Sequence, residues 1–177
     1  MLLRLLSVGT LAPGVLDALV YSVASVMPCE VEDGPAIALP GDPQKTDQMD
    51  AREMAVLLPK GRCDILNLGI TDFDITVPGY NFVFGYAVPT EHRGVVSLKR
   101  LHGSREENAA FDVMLIERAT KEVLHEAGHL LGLQHCPNAV CVMRYSQTLH
   151  DTDLKSERFC PRCARELSRL PECSHEG

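Results

Sequence analysis

The sequence contains no tryptophan, and aromatic residues make up only 5% of its 177 residues. A core with few aromatic side chains has to be built from aliphatic residues and methionine. The hydrophobic content of 45% is sufficient for such a core. The length is typical of one domain, or of one domain with a small appendage.

Long apolar segments are also missing. Arg4 interrupts the apolar residues at the start, and Pro13, Gly14 and Asp17 follow soon after. No stretch reaches the roughly 18–20 apolar residues that a transmembrane helix requires. A cleavage pattern of small residues, as in a secretory signal, is absent as well. These absences predict a cytoplasmic protein without a membrane partner.

Basic residues are scarce relative to acidic ones. Lys and Arg number 17 against 24 Asp and Glu, which gives a formal net charge of −7. Proteins that bind nucleic acid need clustered Lys and Arg to contact phosphates. Nucleic acid is therefore not expected as the main partner, and ordinary solubility accounts for the negative charge.

Apolar residues recur in patterns that predict both strands and helices. Strands are expected at residues 2–8, 63–68, 80–88 and 94–101, and a short one beginning at 29–31. Helices are expected at residues 15–26, 47–58 and 108–133. This order predicts an α/β (α+β) fold, with a twisted mixed sheet of about four or five strands and one long helix. Residues after Gly132 show little periodicity, which indicates loops held by something other than a core.

The long predicted helix carries the sequence HEAGH, in which His125 and His129 are four residues apart. Residues with this spacing lie on one face of a helix, so that both imidazoles can bind one zinc ion. Glu126 lies beside them and can reach a zinc-bound water without binding the metal. Zinc makes that water a nucleophile near neutral pH, and a nearby carboxylate can pass its proton to a leaving amine. Two surface histidines on a helix are the alternative interpretation.

The motif continues beyond the helix. Gly132 follows His129 by three residues, and His135 follows Gly132 by three. Glycine can end a helix in a sharp turn, after which His135 can return as a third ligand. Three protein ligands and a water are typical of a catalytic zinc site. The surface-histidine alternative would require all of these spacings to be coincidental.

Four of the seven cysteines form two short pairs near the C-terminus. The pairs are Cys136 with Cys141 and Cys160 with Cys163. Such pairs are typical of a structural zinc site, and a metal can supply folding energy to a tail with little apolar surface. Free thiols and disulfides remain as alternatives, although a reducing cytoplasm disfavours disulfides. The other three cysteines have no partner pattern and are predicted to be plain apolar or exposed thiols: Cys29, Cys63 and Cys173.

Together these residues resemble the archaemetzincin family of metzincin-type zinc metallopeptidases. HEAGHLLGLQH matches the family's zinc signature HExxHxxGxxH, and Cys136, Cys141, Met143 and the CxxC pair follow in the family's order. The stretches GITDFDI and NFVFGYA upstream are also similar, so that the resemblance covers most of residues 69–163. Met143 and Cys160 are separated by 16 residues, one fewer than in the family pattern.

The resemblance implies a metzincin-like zincin domain that hydrolyses peptide bonds with zinc. The catalytic zinc would be bound by His125, His129 and His135, with Glu126 as the general base. A second, structural zinc would be bound by Cys136, Cys141, Cys160 and Cys163. Met143 would form the Met-turn, an apolar floor under the histidines. A peptide substrate would add as a strand beside the predicted strand 80–88.

The predicted domain division places a catalytic core at residues 1–135 and a C-terminal subdomain with the Met-turn and the cysteine site at residues 136–177. A zinc- and peptide-binding protein that cleaves nothing is the main alternative function, although Glu126 favours an enzyme. A nucleic-acid zinc ribbon is a weaker alternative, based on four arginines in the tail: Arg158, Arg162, Arg165 and Arg169.

Tyr145 follows Met143 by two residues, at a position from which a tyrosine of some other metzincin families reaches the zinc. An ordinary surface or core tyrosine is the alternative. The sequence leaves open whether the enzyme is an endopeptidase or an aminopeptidase, and in which oligomeric state it exists.

Overall fold

A computed structural model describes residues 1–40, 48–102 and 113–169. Its strands are β1 (Leu2–Val8), β2 (Glu30–Asp33), β3 (Gln48–Asp50), β4 (Ile65–Thr71), β5 (Asp74–Thr76), β6 (Gly85–Val88) and β7 (Arg93–Ser97). Its α-helices are α1 (Val15–Ala24), α2 (Ala51–Leu57), α3 (Val113–Leu130), α4 (Leu149–Leu154) and α5 (Pro161–Leu167).

The main sheet has five strands in the order β2-β1-β4-β7-β6. The β1–β2, β1–β4 and β4–β7 pairs are parallel, whereas the edge strand β6 runs antiparallel to β7. Strands β3 and β5 form a separate two-stranded sheet. The mixed sheet, together with the long helix α3, confirms the predicted α/β fold class.

Helices cover both faces of the main sheet, which explains why its central strands are mostly apolar and largely buried. Leu68 of β4 and Val96 of β7 pack with α1 and α3 in the larger hydrophobic cluster. The neighbouring Val95 points the other way and packs with Met54 of α2 in the smaller cluster. Helix α3 is therefore fixed against the sheet through its buried side, with its C-terminal end next to β6 and β7.

Several element boundaries differ from the prediction. The strand predicted at residues 80–88 begins only at Gly85, because Val83 pairs instead with Ile75 in an isolated antiparallel bridge. The helix predicted at residues 47–58 begins only at Ala51. Asp50 caps it by accepting a hydrogen bond from the Arg52 backbone N–H, so that the preceding residues are free to form β3.

The predicted helix 108–133 corresponds to α3 (Val113–Leu130), and residues 108–112 lie outside the described part of the chain. The prediction of loops without helices after Gly132 is wrong, because α4 and α5 lie there. A capping box of Thr148 and Asp151 fixes the start of α4, and Pro161 begins α5. Helices of six and seven residues are too short for a visible apolar period.

Cysteines outside the C-terminal pairs behave differently from one another. Cys29 is a free, partly buried thiol that packs against the larger hydrophobic cluster. The prediction that Cys63 is a plain apolar or exposed thiol is wrong, because it forms a disulfide bond. Cys173 lies outside the described residues. Across the described ranges, no helix is both long and apolar enough to cross a membrane.

Residues on both sides of the predicted domain boundary contribute to one hydrophobic cluster. Leu124 and Leu130 of α3 share it with Cys136, Met143 and Cys163. The division at residue 135 stays a prediction.

Candidate active site

The three histidines of the predicted zinc signature converge at the C-terminal end of α3. His125 and His129 lie one helical turn apart, with 3.1 Å between their Nε2 atoms. The helix ends at Leu130, and Gly132 adopts a left-handed backbone with φ of 86° that reverses the chain. This turn returns His135, so that one ring nitrogen from each histidine lies within 4.8 Å of the others.

Hydrogen bonds to backbone carbonyls fix the protonation of two of the rings. His125 Nδ1 lies 2.9 Å from the Val142 carbonyl, and His129 Nδ1 lies 2.8 Å from the Leu133 carbonyl. Since a carbonyl can only accept, each Nδ1 carries the proton and each Nε2 presents a lone pair. Two lone pairs that face each other at 3.1 Å repel unless a cation lies between them.

The histidine geometry fits a zinc ion. Tetrahedral zinc with ~2.1 Å bonds to nitrogen would place its ligand atoms about 3.4 Å apart, close to the separation found here. Burial lowers the pKa of His125 well below its ordinary value, and the nearby Lys155 ammonium lowers it further. Burial also lowers the pKa of His129 and of His135. Neutral imidazoles are the form that binds a metal.

Glu126 lies beside these rings, 5% exposed, against the edge strand β6. A Cβ atom on Gly85 would lie only 2.5 Å from Glu126 Cγ and 2.6 Å from its Oε1. Glycine at this position is therefore required for the carboxyl group to reach its place. Burial, and to a lesser extent the nearby Glu122 carboxylate, raise the pKa of Glu126 to about 8, while Lys155 acts in the opposite direction. The high proton affinity suits a group that accepts a proton during a reaction.

Met143 packs directly beneath the zinc-signature helix and is fully buried. A Cβ atom on Gly128 would lie 2.3 Å from the Met143 sulfur, so that the thioether occupies the space a larger helix residue would fill. The Met143 carbonyl also accepts a hydrogen bond of 2.8 Å from the Cys136 backbone N–H. Met143 is thus held between the histidine turn and the cysteine cluster.

The four cysteines of the C-terminal pairs form a second cluster with the geometry of a metal site. Sγ of Cys136 lies 3.8 Å from Sγ of Cys160, and Sγ of Cys141 lies 3.8 Å from Sγ of Cys163. Disulfide sulfurs would be about 2.05 Å apart. Tetrahedral zinc with ~2.3 Å bonds to sulfur would place them about 3.8 Å apart, so the cluster fits zinc.

One thiol of this cluster is already acidic. Backbone N–H groups of Cys163 and Arg162 lower the pKa of Cys160 to about 7. Burial raises the pKa of Cys163 and of Cys141, which keeps both thiols protonated while no cation is present. A bound cation is what would make all four sulfurs thiolates.

A cleft of about 580 Å³ opens in front of the histidines. One wall is formed by Tyr80, Phe82 and strand β6, and another by residues 145–147 after Met143. The Tyr145 ring lies beside His135, with 4.9 Å between ring centroids, and it is 40% exposed. Burial and the neighbouring Tyr80 raise the pKa of Tyr145. An ordinary surface or core tyrosine stays the prediction for this residue, with a metal contact as the alternative.

Sequence reasoning missed a buried ion pair behind the cleft. Glu122 of α3 is 2% exposed, and its Oε1 lies 3.0 Å from the ammonium of the fully buried Lys155. Thr152 donates a 2.9 Å hydrogen bond to the same oxygen. Glu122 precedes Glu126 by one helical turn, a spacing that could have drawn attention to it. Nothing in the local sequence identifies Lys155.

Comparison with known proteins decides the family. Residues 60–169 match the model of peptidase family M54. This chain belongs to peptidase family M54. The M54 chain is 48% identical over 108 residues to an archaemetzincin of Pyrococcus horikoshii, and 36% identical over 149 residues to one of Natronomonas pharaonis. The predicted resemblance to archaemetzincins is confirmed.

The extent of these matches differs between relatives. The first alignment covers 61% of the M54 chain and 57% of the Pyrococcus protein, and the second covers 81% and 86%. The chain thus spans little more than half of the length of some curated relatives that it matches.

Solved structures share the fold of this M54 member over nearly its whole length. An archaemetzincin from Archaeoglobus fulgidus, complexed with malonate, is 33% identical with a TM-score of 0.78, and the match covers 94% of this chain and 99% of that one. A zinc-dependent peptidase from Methanocorpusculum labreanum is 28% identical with a TM-score of 0.81, and covers 93% and 99%.

Proposed function

We propose that this M54 family member is a zinc-dependent metallopeptidase that hydrolyses peptide bonds. One observation carries the proposal. Two histidine Nε2 lone pairs face each other in an open cleft, His135 joins them, and the buried Glu126 carboxyl lies alongside. The description of the Methanocorpusculum labreanum structure as a zinc-dependent peptidase supports it.

Two zinc ions per chain are part of the proposal. The first would be held by His125, His129 and His135, and the second by the four clustered cysteines. The first would be catalytic, because its ligands line the cleft. The second would be structural, since Cys136, Cys141 and Cys163 are buried away from that cleft. Zinc when bound would polarise the scissile carbonyl and lower the pKa of a water molecule.

Glu126 moves the proton in the proposed reaction. Its carboxylate accepts a proton from the attacking water and delivers it to the nitrogen of the leaving amine. The packing against Gly85 holds the carboxylate in one place during both transfers. The Val142 and Leu133 carbonyls hold the rings of His125 and His129 in fixed orientations. Met143 supports the same arrangement from below.

The substrate proposed is an extended segment of a peptide or protein. Strand β6 lies at the edge of the main sheet and also lines the cleft. A peptide can bind such an edge by main-chain hydrogen bonds, as an added strand. Tyr80 and Phe82 offer apolar surface for its side chains.

The cytoplasmic location and the absence of nucleic-acid and membrane partners stay predictions. Oxidising compartments are where a disulfide such as that of Cys63 persists most readily.

Cleavage of a mixed peptide library by zinc-loaded protein tests the function. We compare the wild type with Glu126→Gln at equal zinc content. Glu53→Gln, which changes an exposed glutamate of α2, serves as the matched control. Loss of the proton acceptor should lower kcat by about 10²- to 10⁴-fold, while Glu53→Gln should cleave normally.

Two results would count against this function. Wild-type rates in Glu126→Gln would remove Glu126 from the chemistry. No cleavage by a wild-type protein that binds two zinc ions would favour the alternative, a zinc- and peptide-binding protein.

A further inference from the structure

One face of the zinc-signature helix is tied to the C-terminal segment by polar side chains. Arg118, Glu122 and His125 follow one another at helical spacing and so lie on the same side of α3. Arg118 binds the Asp153 carboxylate through Nε at 2.7 Å and Nη2 at 2.9 Å. His125 Nδ1 donates to the Val142 carbonyl at 2.9 Å. These contacts fix the helix against residues 142–155, a segment that includes the buried Met143 and one wall of the cleft.

Lys155 lies at the centre of this contact and is fully buried. Its Nζ is 3.0 Å from Glu122 Oε1, which also accepts the 2.9 Å hydrogen bond from Thr152 Oγ1. The same Nζ donates a longer hydrogen bond of 3.5 Å to the carbonyl of Arg144. Arg144 immediately follows Met143, so one ammonium group joins α3, the end of α4 and the turn beneath the histidines.

Stability alone does not account for a charged pair at this place. Burying two charges costs solvation energy, and apolar side chains of similar size often replace such a pair without loss of stability. The ion pair does, however, restrain Glu122. Glu122 lines the cleft together with Glu126, and a carboxylate is itself a zinc ligand. Lys155 and Thr152 both bind Glu122 Oε1 and hold this carboxylate away from the histidines.

We propose that Lys155 is a positioning residue of the candidate active site, which sets the Met143 turn against the zinc-signature helix and keeps Glu122 from competing as a metal ligand. The Ser156 backbone N–H, next to Lys155, donates a 3.0 Å hydrogen bond to the carbonyl of Val140, which precedes Cys141, so the ion pair also lies beside the cysteine cluster. The kinetic consequence rests on the proposed peptidase function. The consequence for metal geometry does not.

Lys155→Met tests this role because methionine keeps the length of the side chain and removes its charge. We measure zinc content, kcat and KM, and the visible spectrum of Co²⁺ bound in place of zinc. Thiolate-bound cobalt has charge-transfer bands that histidine-bound cobalt lacks, so the two sites are distinguished. We expect altered bands of histidine-bound cobalt, a kcat lower by about 10-fold or more, and a KM within about twofold of wild type. Lys155→Arg should restore part of kcat.

Lys121→Met is the matched control. Lys121 is also a buried lysine, 3% exposed, and it binds Glu117 on the same helix at 2.7 Å, but this pair is not connected to the Met143 turn. Lys121→Met should leave the cobalt spectrum and kcat unchanged. If Lys121→Met alters the cobalt spectrum and kcat as Lys155→Met does, the loss of any buried lysine charge near α3 disturbs the site, and the proposal is wrong.

A wild-type cobalt spectrum and wild-type kcat in Lys155→Met would also overturn the proposal. If Lys155→Met does not fold, the double variant Glu122→Gln with Lys155→Met removes both charges of the ion pair. An altered cobalt spectrum in this variant would support the proposal, and a wild-type spectrum would overturn it. If the wild type cleaves no peptide, the proposed function fails, while the cobalt spectrum still supports or overturns the role of Lys155.

Discussion

The position of the Glu126 carboxyl depends on the missing side chain of Gly85. A Cβ atom there would lie 2.5 Å from Glu126 Cγ, and Glu126 is too buried to move freely. Gly85→Ala should therefore displace the carboxyl from the histidines without removing any zinc ligand. We expect kcat to fall by about 10-fold or more at unchanged zinc content, and a stability loss of about 1–3 kcal/mol from overpacking.

Gly69→Ala provides the control for Gly85→Ala. Gly69 lies in β4 of the same sheet, where a Cβ would meet Val8 Cγ2 at 2.8 Å and Leu58 Cδ2 at 3.1 Å, away from the cleft. This variant should lose stability of the same order while kcat stays at the wild-type value. Equal losses of kcat in both variants would show that overpacking of the sheet, and not the displaced carboxyl, lowers activity.

Residues whose spacing is set by chemistry were the ones that the sequence could predict. His125 and His129 need helical spacing to share a metal, and the cysteines need short pairs, so local sequence identified both groups. The structure brings each group together. Glu122 and Lys155 meet only because α4 folds back onto α3. Such a pair is defined by tertiary structure, and no local pattern could have indicated it.

Among the helices, α2 gives a pH-dependent test of its N-terminal cap. The Asp50 carboxylate accepts hydrogen bonds from the Arg52 backbone and guanidinium, which lower its pKa from 3.8 to about 2. Since the folded pKa is depressed, this stabilisation is present above pH 3.8 and is lost as the pH falls towards 2. Asp50→Ala should cost about 1 kcal/mol at pH 7 and almost nothing near pH 2.

Urea unfolding of both proteins at several pH values measures the Asp50 effect. Part of it should weaken in high salt, because the Arg52 side chain is 53% exposed. Glu53→Ala, in the same first turn, is the control, because it removes a carboxylate and leaves the Asp50 cap in place. A cost of Asp50→Ala that stays constant between pH 7 and 2 would show that the carboxylate charge does not contribute.

Element length decided which parts of the fold could be predicted. The 18 residues of α3 show their apolar period clearly, and β1 stands out as a mostly apolar segment despite Arg4. Helices α4 and α5 begin with a capping box and a proline, and they pack through buried residues such as Thr152 and Cys163. Each of these two helices has two turns or fewer, so tertiary contacts and the cysteine cluster, rather than a local apolar period, stabilise them.

Across the whole molecule, the cysteine cluster and the histidine site are parts of one continuous arrangement. Cys136 directly follows His135, and its backbone N–H binds the Met143 carbonyl. The Val142 carbonyl accepts the hydrogen bond from His125 Nδ1, and the Val142 N–H donates to the carbonyl of Arg158, two residues before Cys160. The ring of His125 is therefore oriented by a segment that lies between cysteines of the cluster.

This continuity predicts that the two metal sites are not independent. If the proposed structural zinc is present, Cys160→Ser should release it, loosen residues 136–169, and lower the zinc affinity of the histidine site by about 10-fold or more. Zinc per chain is measured by atomic absorption, and affinity by competition with a chelator. Cys29→Ser, which changes a free cysteine outside the cluster, should keep both zinc ions. If Cys160→Ser retains histidine-bound zinc with wild-type affinity, the cysteine cluster stabilises only residues 136–169, and the histidines are oriented by α3 and Lys155 alone.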